Sequence, residues 1–223
     1  MSLLSSTTLF NFTDSFDHLK DNLLNGFYAV TSFEKLPKRN NGYSVPMVCF
    51  CDIPLSMIKD HLNWYGKFGI GIKRSYAREH GVTPVFYLHS DNPHLGPLLN
   101  EKNHNNLVKN LFPLMKQFLG FQEYKGKPRK KKFYDEHEWR YIPPDPILTL
   151  HLNESSKKID RNLNKQILRM PLDYDSIEYI IIENADYIDD LLGVFSLIKK
   201  RNNVNRDLLI SKILTATQIN KDF

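Results

Sequence analysis

The chain has 223 residues, with 30 Lys+Arg against 25 Asp+Glu, a surplus of +5. Hydrophobic residues make up 41% and charged residues 25%, a globular balance that argues against a disordered, collagen-like or coiled-coil chain. The length suits one large domain or two small ones, and the charge permits a phosphate-rich partner without requiring one.

Thr8 to Thr13 reads as a strand, with Phe10 and Phe12 on one face. Asp14 or Ser15 then caps a short helix carrying Phe16, Leu19 and Leu23, closed by Asn25-Gly26. A second short strand is expected at Phe27 to Val30, and a loop from Thr31 to Ser44, where Pro37 and the run Arg39 to Gly42 break any period. Val45 to Asp52 is nearly all apolar and suits a buried central strand. Pro54 opens a helix through Leu55, Ile58 and Leu62 that ends at Gly66. Phe68 to Ile72 is a strand whose two glycines allow close packing of another backbone or a ligand. Ser75 to His80 is a short helix and Val85 to Leu88 a strand.

Asn103 to Leu119 has helical apolar spacing, interrupted by Pro113. The octet Lys125 to Lys132 holds six basic residues and no acid, and Gly126 and Pro128 mark it as a loop. It contributes +6, so the rest of the chain, 24 basic against 25 acidic, is −1. Phe133 to Ile142 gives a strong strand signal. Ile147 to Leu152 reads as another strand and Asn153 to Lys165 as a polar connector. Ile177 to Ile182 is a buried strand, Ala185 to Lys200 an amphipathic helix, and Leu208 to Leu214 a last short element. Short strands with interspersed helices and no regular alternation predict an α+β fold, a mixed and split β-sheet core with flanking helices. We expect a single domain over 1–223, with its core at 7–145 and a strand/helix extension at 146–223.

The first ten residues lack a basic stretch followed by a long apolar core, so no secretory signal is read there. The most apolar stretch, Tyr179 to Glu183, is far short of the roughly 20 residues that span a bilayer. A cytoplasmic protein without membrane contact is expected. The two cysteines, Cys49 and Cys51, are spaced C-x-C and read as small buried hydrophobes in a reducing compartment.

The segment Tyr134 to Ile142 carries the densest chemistry. As a strand it places Glu136, Glu138 and Arg140 on one face. Two carboxylates about 7 Å apart with a guanidinium beside them make either a site or an ion-paired, solvent-facing edge. Asp135 to Glu138 diverge to opposite faces, and the histidines show no paired-ligand spacing, so no metal is expected. The residues Lys125, Lys127, Arg129, Lys130, Lys131 and Lys132 form either a solvated loop or a phosphate-binding patch for a nucleotide or nucleic acid.

Leu9-Phe-Asn-Phe-Thr-Asp14, Asn25-Gly26-Phe27, Val45-Pro-Met-Val-Cys-Phe-Cys-Asp-Ile-Pro-Leu-Ser56, Tyr65-Gly-Lys-Phe-Gly-Ile-Gly71, Pro84-Val-Phe-Tyr87 and Glu136-His-Glu-Trp-Arg-Tyr-Ile-Pro143 together resemble the AbiGi family. These are described as antitoxins of bacterial AbiG-type abortive-infection (phage-resistance) systems. The resemblance covers about residues 7 to 145 and implies a toxin partner protein. More distantly, the layout looks like an ADP-ribosyltransferase fold. That likeness implies Glu138 as catalytic glutamate, Glu136 as the first member of its pair, and NAD met by Asn11 and Thr13; Tyr65 either packs on the nicotinamide or is a core aromatic, and Arg140 either holds the carboxylate pair or meets a phosphate of NAD. Glu138 would stabilise the oxocarbenium-like cation formed as the nicotinamide–ribose bond breaks. Asn11 departs from that pattern, standing where it has histidine. The resemblances leave two readings, an NAD-dependent ADP-ribosyltransferase or a non-catalytic antitoxin that neutralises a toxin by binding or regulation, and the basic segment adds a third, a nucleic-acid-binding module.

Overall fold

A computed structural model describes residues 6–35, 42–95, 111–124, 126–144, 168–202 and 204–222. It is a mixed α+β structure that divides into two compact units, whose segments interleave along the chain. Unit 1 holds Met1–Tyr28, Phe50–Gly81 and Arg169–Phe223; unit 2 holds Ala29–Cys49 and Val82–Leu168.

In unit 1, β1 (Thr8–Thr13) and β5 (Phe68–Lys73) pair antiparallel from Thr8↔Lys73 to Thr13↔Phe68. β13 (Ile177–Ile182) joins β5 antiparallel, and β14 (Ile213–Thr215) joins β13 in parallel, Ile180 opposite Ile213. The parallel pair is connected through α4 (Ile188–Asn202) and α5 (Arg206–Ile210), as parallel neighbours require a crossover. α1 (Phe16–Asn25) starts where Ser15 accepts from the Asp17 N–H and stops at Gly26, φ +84°. α2 (Lys59–Tyr65), α3 (Arg74–Glu79), α6 (Ala216–Asp222) and the short ladder of β2 (Phe27–Tyr28) with β12 (Arg169–Met170) complete the unit. Its core includes Phe10, Cys51, Ile58, Leu62, Ile181 and Ile219.

The glycines of β5 serve packing. A Cβ at Gly69 would meet the Phe12 ring at 2.8 Å and one at Gly71 the Phe10 ring at 2.8 Å. Phe10 in turn stacks on Phe12 and on Tyr179, with centroids 5.9 and 5.7 Å apart.

In unit 2, β3 (Val30–Lys35) pairs antiparallel with β4 (Gly42–Cys51), from Val30↔Met47 to Lys35↔Gly42. β11 (Glu138–Tyr141) sits between β4 and β6 (Thr83–Pro84). β7 (Phe86–Leu88) pairs in parallel with β8 (Met115–Gln117), and β9 (Leu119–Tyr124) forms an antiparallel ribbon with β10 (Lys127–Lys132). Val45, Met47, Leu95, Phe112 and Met115 form one core cluster of the unit.

Several expectations need correction in unit 2. The loop expected from Thr31 to Ser44 is strand at both ends, because Val30–Lys35 and the residues from Gly42 on pair with each other; 36–41 lie outside the described residues. Of the helix expected over Asn103 to Leu119, 103–110 lie outside the described residues and Leu111 is helical, whereas from Phe112 the chain is a 3-10 turn at Phe112–Leu114 followed by β8. Pro113 suits the turn, and Met115 buries itself in the core. The basic octet is a strand rather than a loop over Lys127–Lys132, since Gly126 at φ +76° permits the turn back onto β9. Pro128 is tolerated because a two-stranded ribbon is all edge. The strand expected over Phe133 to Ile142 is a 3-10 turn at Phe133–Glu136, a left-handed residue at His137 (φ +45°), and then β11. Cys51 is buried in the unit 1 core, its Sγ 3.6 Å from the Phe10 carbonyl, whereas Cys49 in unit 2 is exposed. The strand expected at 147–152, the connector expected at 153–165, and Lys125 lie outside the described residues.

Candidate functional site: a buried ion network in unit 2

Period two puts Glu138 and Arg140 on one face of β11, and both are buried, at 4% and 0% exposure. Glu136 reaches the same place from the 3-10 turn, with the left-handed residue His137 joining that turn to β11. The pair therefore converges without sharing a strand.

Three cations meet the carboxylates. Lys116 of β8 donates to Glu136 Oε2 at 2.8 Å and also bonds Glu138 Oε2 directly. Lys131 of β10 lies 2.7 Å from Glu136 Oε1. Arg140 donates Nε to Glu138 Oε1 at 2.7 Å, Nη2 to Glu34 Oε1 at 2.6 Å, and Nη1 to the Pro113 carbonyl at 2.8 Å. Glu34, Glu136 and Glu138 thus face Lys116, Lys131 and Arg140, three charges of each sign. The backbone is pinned as well: the Glu138 N–H donates to Tyr87 Oη at 2.8 Å, and the Val85 N–H donates to the Glu138 carbonyl at 3.1 Å.

Burial by itself would raise every carboxylate here. Against that, Lys116 and Arg140 hold Glu138 down at about 2, and Lys116 with Lys131 hold Glu136 below its ordinary value. At Glu34 burial outweighs Arg140 and the carboxyl is raised. Burial lowers Lys131 and raises the Tyr87 phenol, which stays protonated. Protein around Cys49 and the Glu138 charge both raise its thiol.

A pocket of about 400 Å³ opens beside the network, with Phe33, Lys35, Lys116, Phe121 and Phe133 in its wall. The Lys116 ammonium lies 4.9 Å from the Phe133 ring centroid. A Cβ at Gly120 would meet that ring at 2.7 Å.

The residues expected to form one site are distributed as follows. Glu136, Glu138, Arg140 and Lys131 share the network. Asn11, Thr13 and Tyr65 belong to unit 1, where Asn11 accepts from Asn22 at 3.4 Å, Thr13 Oγ1 meets His18 Nδ1 at 3.3 Å, and the Tyr65 ring lies 5.8 Å from His61. Lys127, Arg129, Lys130 and Lys132 lie along the ribbon. Lys116, Glu34 and Tyr87 were not anticipated, because the first fell in an expected helix and the second in an expected loop. Among the described residues no cluster of three His, Cys, Asp or Glu side chains is placed to hold a metal ion. Among the same residues no helix is long and apolar enough to cross a membrane.

Chemically, the network presents two ionised carboxylates whose four oxygens are already met by ammonium and guanidinium groups. Such a closed set holds elements together; it leaves an incoming ligand to displace a cation before it gains a carboxylate.

No solved structure matches the chain. It is 26% identical to the "Abortive phage resistance protein AbiGi" of Lactococcus lactis subsp. cremoris over 240 aligned residues, covering 88% of this chain and 95% of that protein. A family model described as "Putative abortive phage resistance protein AbiGi, antitoxin" matches residues 25–183, a span that takes in the whole ion network. The chain belongs to the AbiGi family of abortive phage resistance proteins.

Proposed function

We propose that this chain is an antitoxin that neutralises a partner toxin by binding, without catalysis, and that Glu136 and Glu138 are structural anchors of unit 2. The family description supports the antitoxin role. The observation that carries the non-catalytic reading is the saturation of Glu138, with Arg140 on Oε1 and Lys116 on Oε2. A glutamate that stabilises a developing ribosyl cation must direct an oxygen at substrate; here both oxygens are directed at buried cations.

A second reading retains NAD as substrate. It draws on the resemblance to ADP-ribosyltransferases and on the aromatic-walled pocket beside Lys116. In that reading the substrate displaces Lys116, and Glu138 then stabilises the oxocarbenium-like cation.

Co-expression with the toxin separates the two. Glu138→Gln alone leaves the network one positive charge in excess, with Lys116 still on Glu136 and Arg140 still on Glu34, so the paired variant Lys116→Met/Glu138→Gln, which keeps the network neutral, is used beside it. Binding predicts that the folded paired variant still protects cells. Loss of protection by a variant that remains folded and still binds the toxin contradicts it.

A further inference from the structure

The segment 119–132, which contains the β9–β10 ribbon, accounts for the net charge of the protein. Residues 119–132 hold six basic side chains and one acid, Glu123, for +5; the remaining 24 basic and 24 acidic residues cancel. The ribbon pairs with itself, Lys127↔Tyr124 through Lys132↔Leu119. A two-stranded ribbon is marginal in water unless something fixes it. Its base is fixed: Lys131 is held by Glu136 and Gln122, Lys132 by Asp135 at 2.7 Å, and Gly120 lies against Phe133.

Its outer part is exposed. Cross-strand partners share a face, so Tyr124, Gln122, Lys127, Arg129 and Lys131 lie on one side, and Phe121, Glu123, Pro128, Lys130 and Lys132 on the other. Cations therefore project from both faces. Lys127, Arg129 and Lys130 are all exposed, and the Arg129 guanidinium lies over the Tyr124 ring, 4.7 Å from its centroid. Phe121 is 74% exposed, an unusual position for a phenylalanine.

We propose that this ribbon binds duplex DNA by entering the major groove. A protein surface would meet one face of a ribbon and leave the cations of the other in water. A groove walled by phosphates on both sides meets both faces. Six residues at about 3.3 Å each make a ribbon roughly 20 Å long, and a two-stranded ribbon fits a groove about 12 Å wide. The deep, narrow major groove of duplex RNA does not admit it. Phe121 supplies apolar contact with base edges, of the kind a thymine methyl accepts. Lys and Pro along β10 also discourage strand addition by a protein partner. This inference stands apart from the toxin-binding reading.

The test is fluorescence anisotropy of the full chain with a labelled 20-bp mixed-sequence DNA duplex, titrated with salt. The variants are Lys127→Gln/Arg129→Gln/Lys130→Gln, which spares the residues that fix the ribbon, and Phe121→Ala. For wild type, log Kobs falls linearly with log[salt]. Each phosphate contact adds about 0.9 to that slope, so the triple variant is expected to be less steep by about 3. Phe121→Ala is expected to weaken binding with the slope unchanged. The same sequence as duplex RNA is expected to bind more weakly. No DNA binding by wild type at 50 mM salt overturns the proposal, as does an unchanged slope in a folded triple variant. So does a triple variant that loses the toxin while binding DNA like wild type, which would make the ribbon a protein-docking arm.

Discussion

Arg140 donates Nε to Glu138 Oε1 at 2.7 Å from two residues along the same strand, with its side chain wholly buried. The strand period alone sets these two on one face. Tertiary structure then brings Lys116 to the second oxygen of Glu138 and Glu34 to the far end of the guanidinium. A local pair thereby ties β3, β8 and β11 together, with the Pro113 carbonyl as a further acceptor.

Removing one member should therefore cost more than removing a matched pair. Lys116→Met leaves Glu136 and Glu138 short of a cation in a buried site, a loss of about 3–5 kcal/mol. Adding Glu138→Gln should recover part of it. Urea denaturation of the two single variants and the double variant measures this coupling, and additive losses would count against a shared network.

Acid should loosen unit 2. Glu138 titrates at about 2 in the folded chain against an ordinary 4.5. A carboxyl depressed on folding contributes stability that is present above its unfolded value and lost as pH falls toward the folded one. On the order of 3 kcal/mol should disappear between about pH 5 and pH 2. Glu136 acts in the same direction and Glu34, raised by burial, in the opposite one. Denaturation midpoints between pH 6 and pH 3 should fall in wild type. They should fall less in Lys116→Met/Glu138→Gln.

Cys49 reports on the Glu138 charge. The thiol is accessible but raised by its surroundings and by that carboxylate, so little thiolate forms near neutral pH. Alkylation by iodoacetamide at pH 8 should be slower than for free cysteine and faster in Glu138→Gln. Cys51, buried in unit 1, should remain unlabelled in both. Equal rates at Cys49 in wild type and variant would show that the carboxylate does not govern the thiol.

In unit 1, Gly66→Ala should be severely destabilising. Its φ is +119°, and a Cβ would lie 2.1 Å from the Thr13 carbonyl oxygen, a backbone atom that cannot swing away. Gly71→Ala should be milder, about 1–3 kcal/mol, because the Phe10 ring and the Thr8 methyl that it meets can shift. Thermal denaturation of the two variants checks the order, and a reversed order would contradict this account of the packing.

What the sequence made legible was local. β1, α1, β5 and β13 follow from period, caps and glycines within each segment. β10 did not, because the octet Lys125 to Lys132, six cations with Gly126 and Pro128, carries every loop signal; the strand exists through pairing with β9 and anchoring at Glu136. Lys116 was hidden for the same reason. Its apolar neighbours fit a helix as well as a strand, and only the carboxylates 20 and 22 residues later give the lysine a purpose. Glu136 and Glu138 were recognised as a pair from their spacing, yet it is the left-handed turn at His137, rather than a shared strand face, that lets them meet.

The most direct measurement of the central claim is incubation of labelled NAD with the purified chain and cell lysate, wild type beside Lys116→Met/Glu138→Gln. A structural Glu138 predicts no label transfer and no NAD breakdown above background by either protein. Transfer or breakdown by wild type that disappears in the folded variant would contradict it and make Glu138 catalytic.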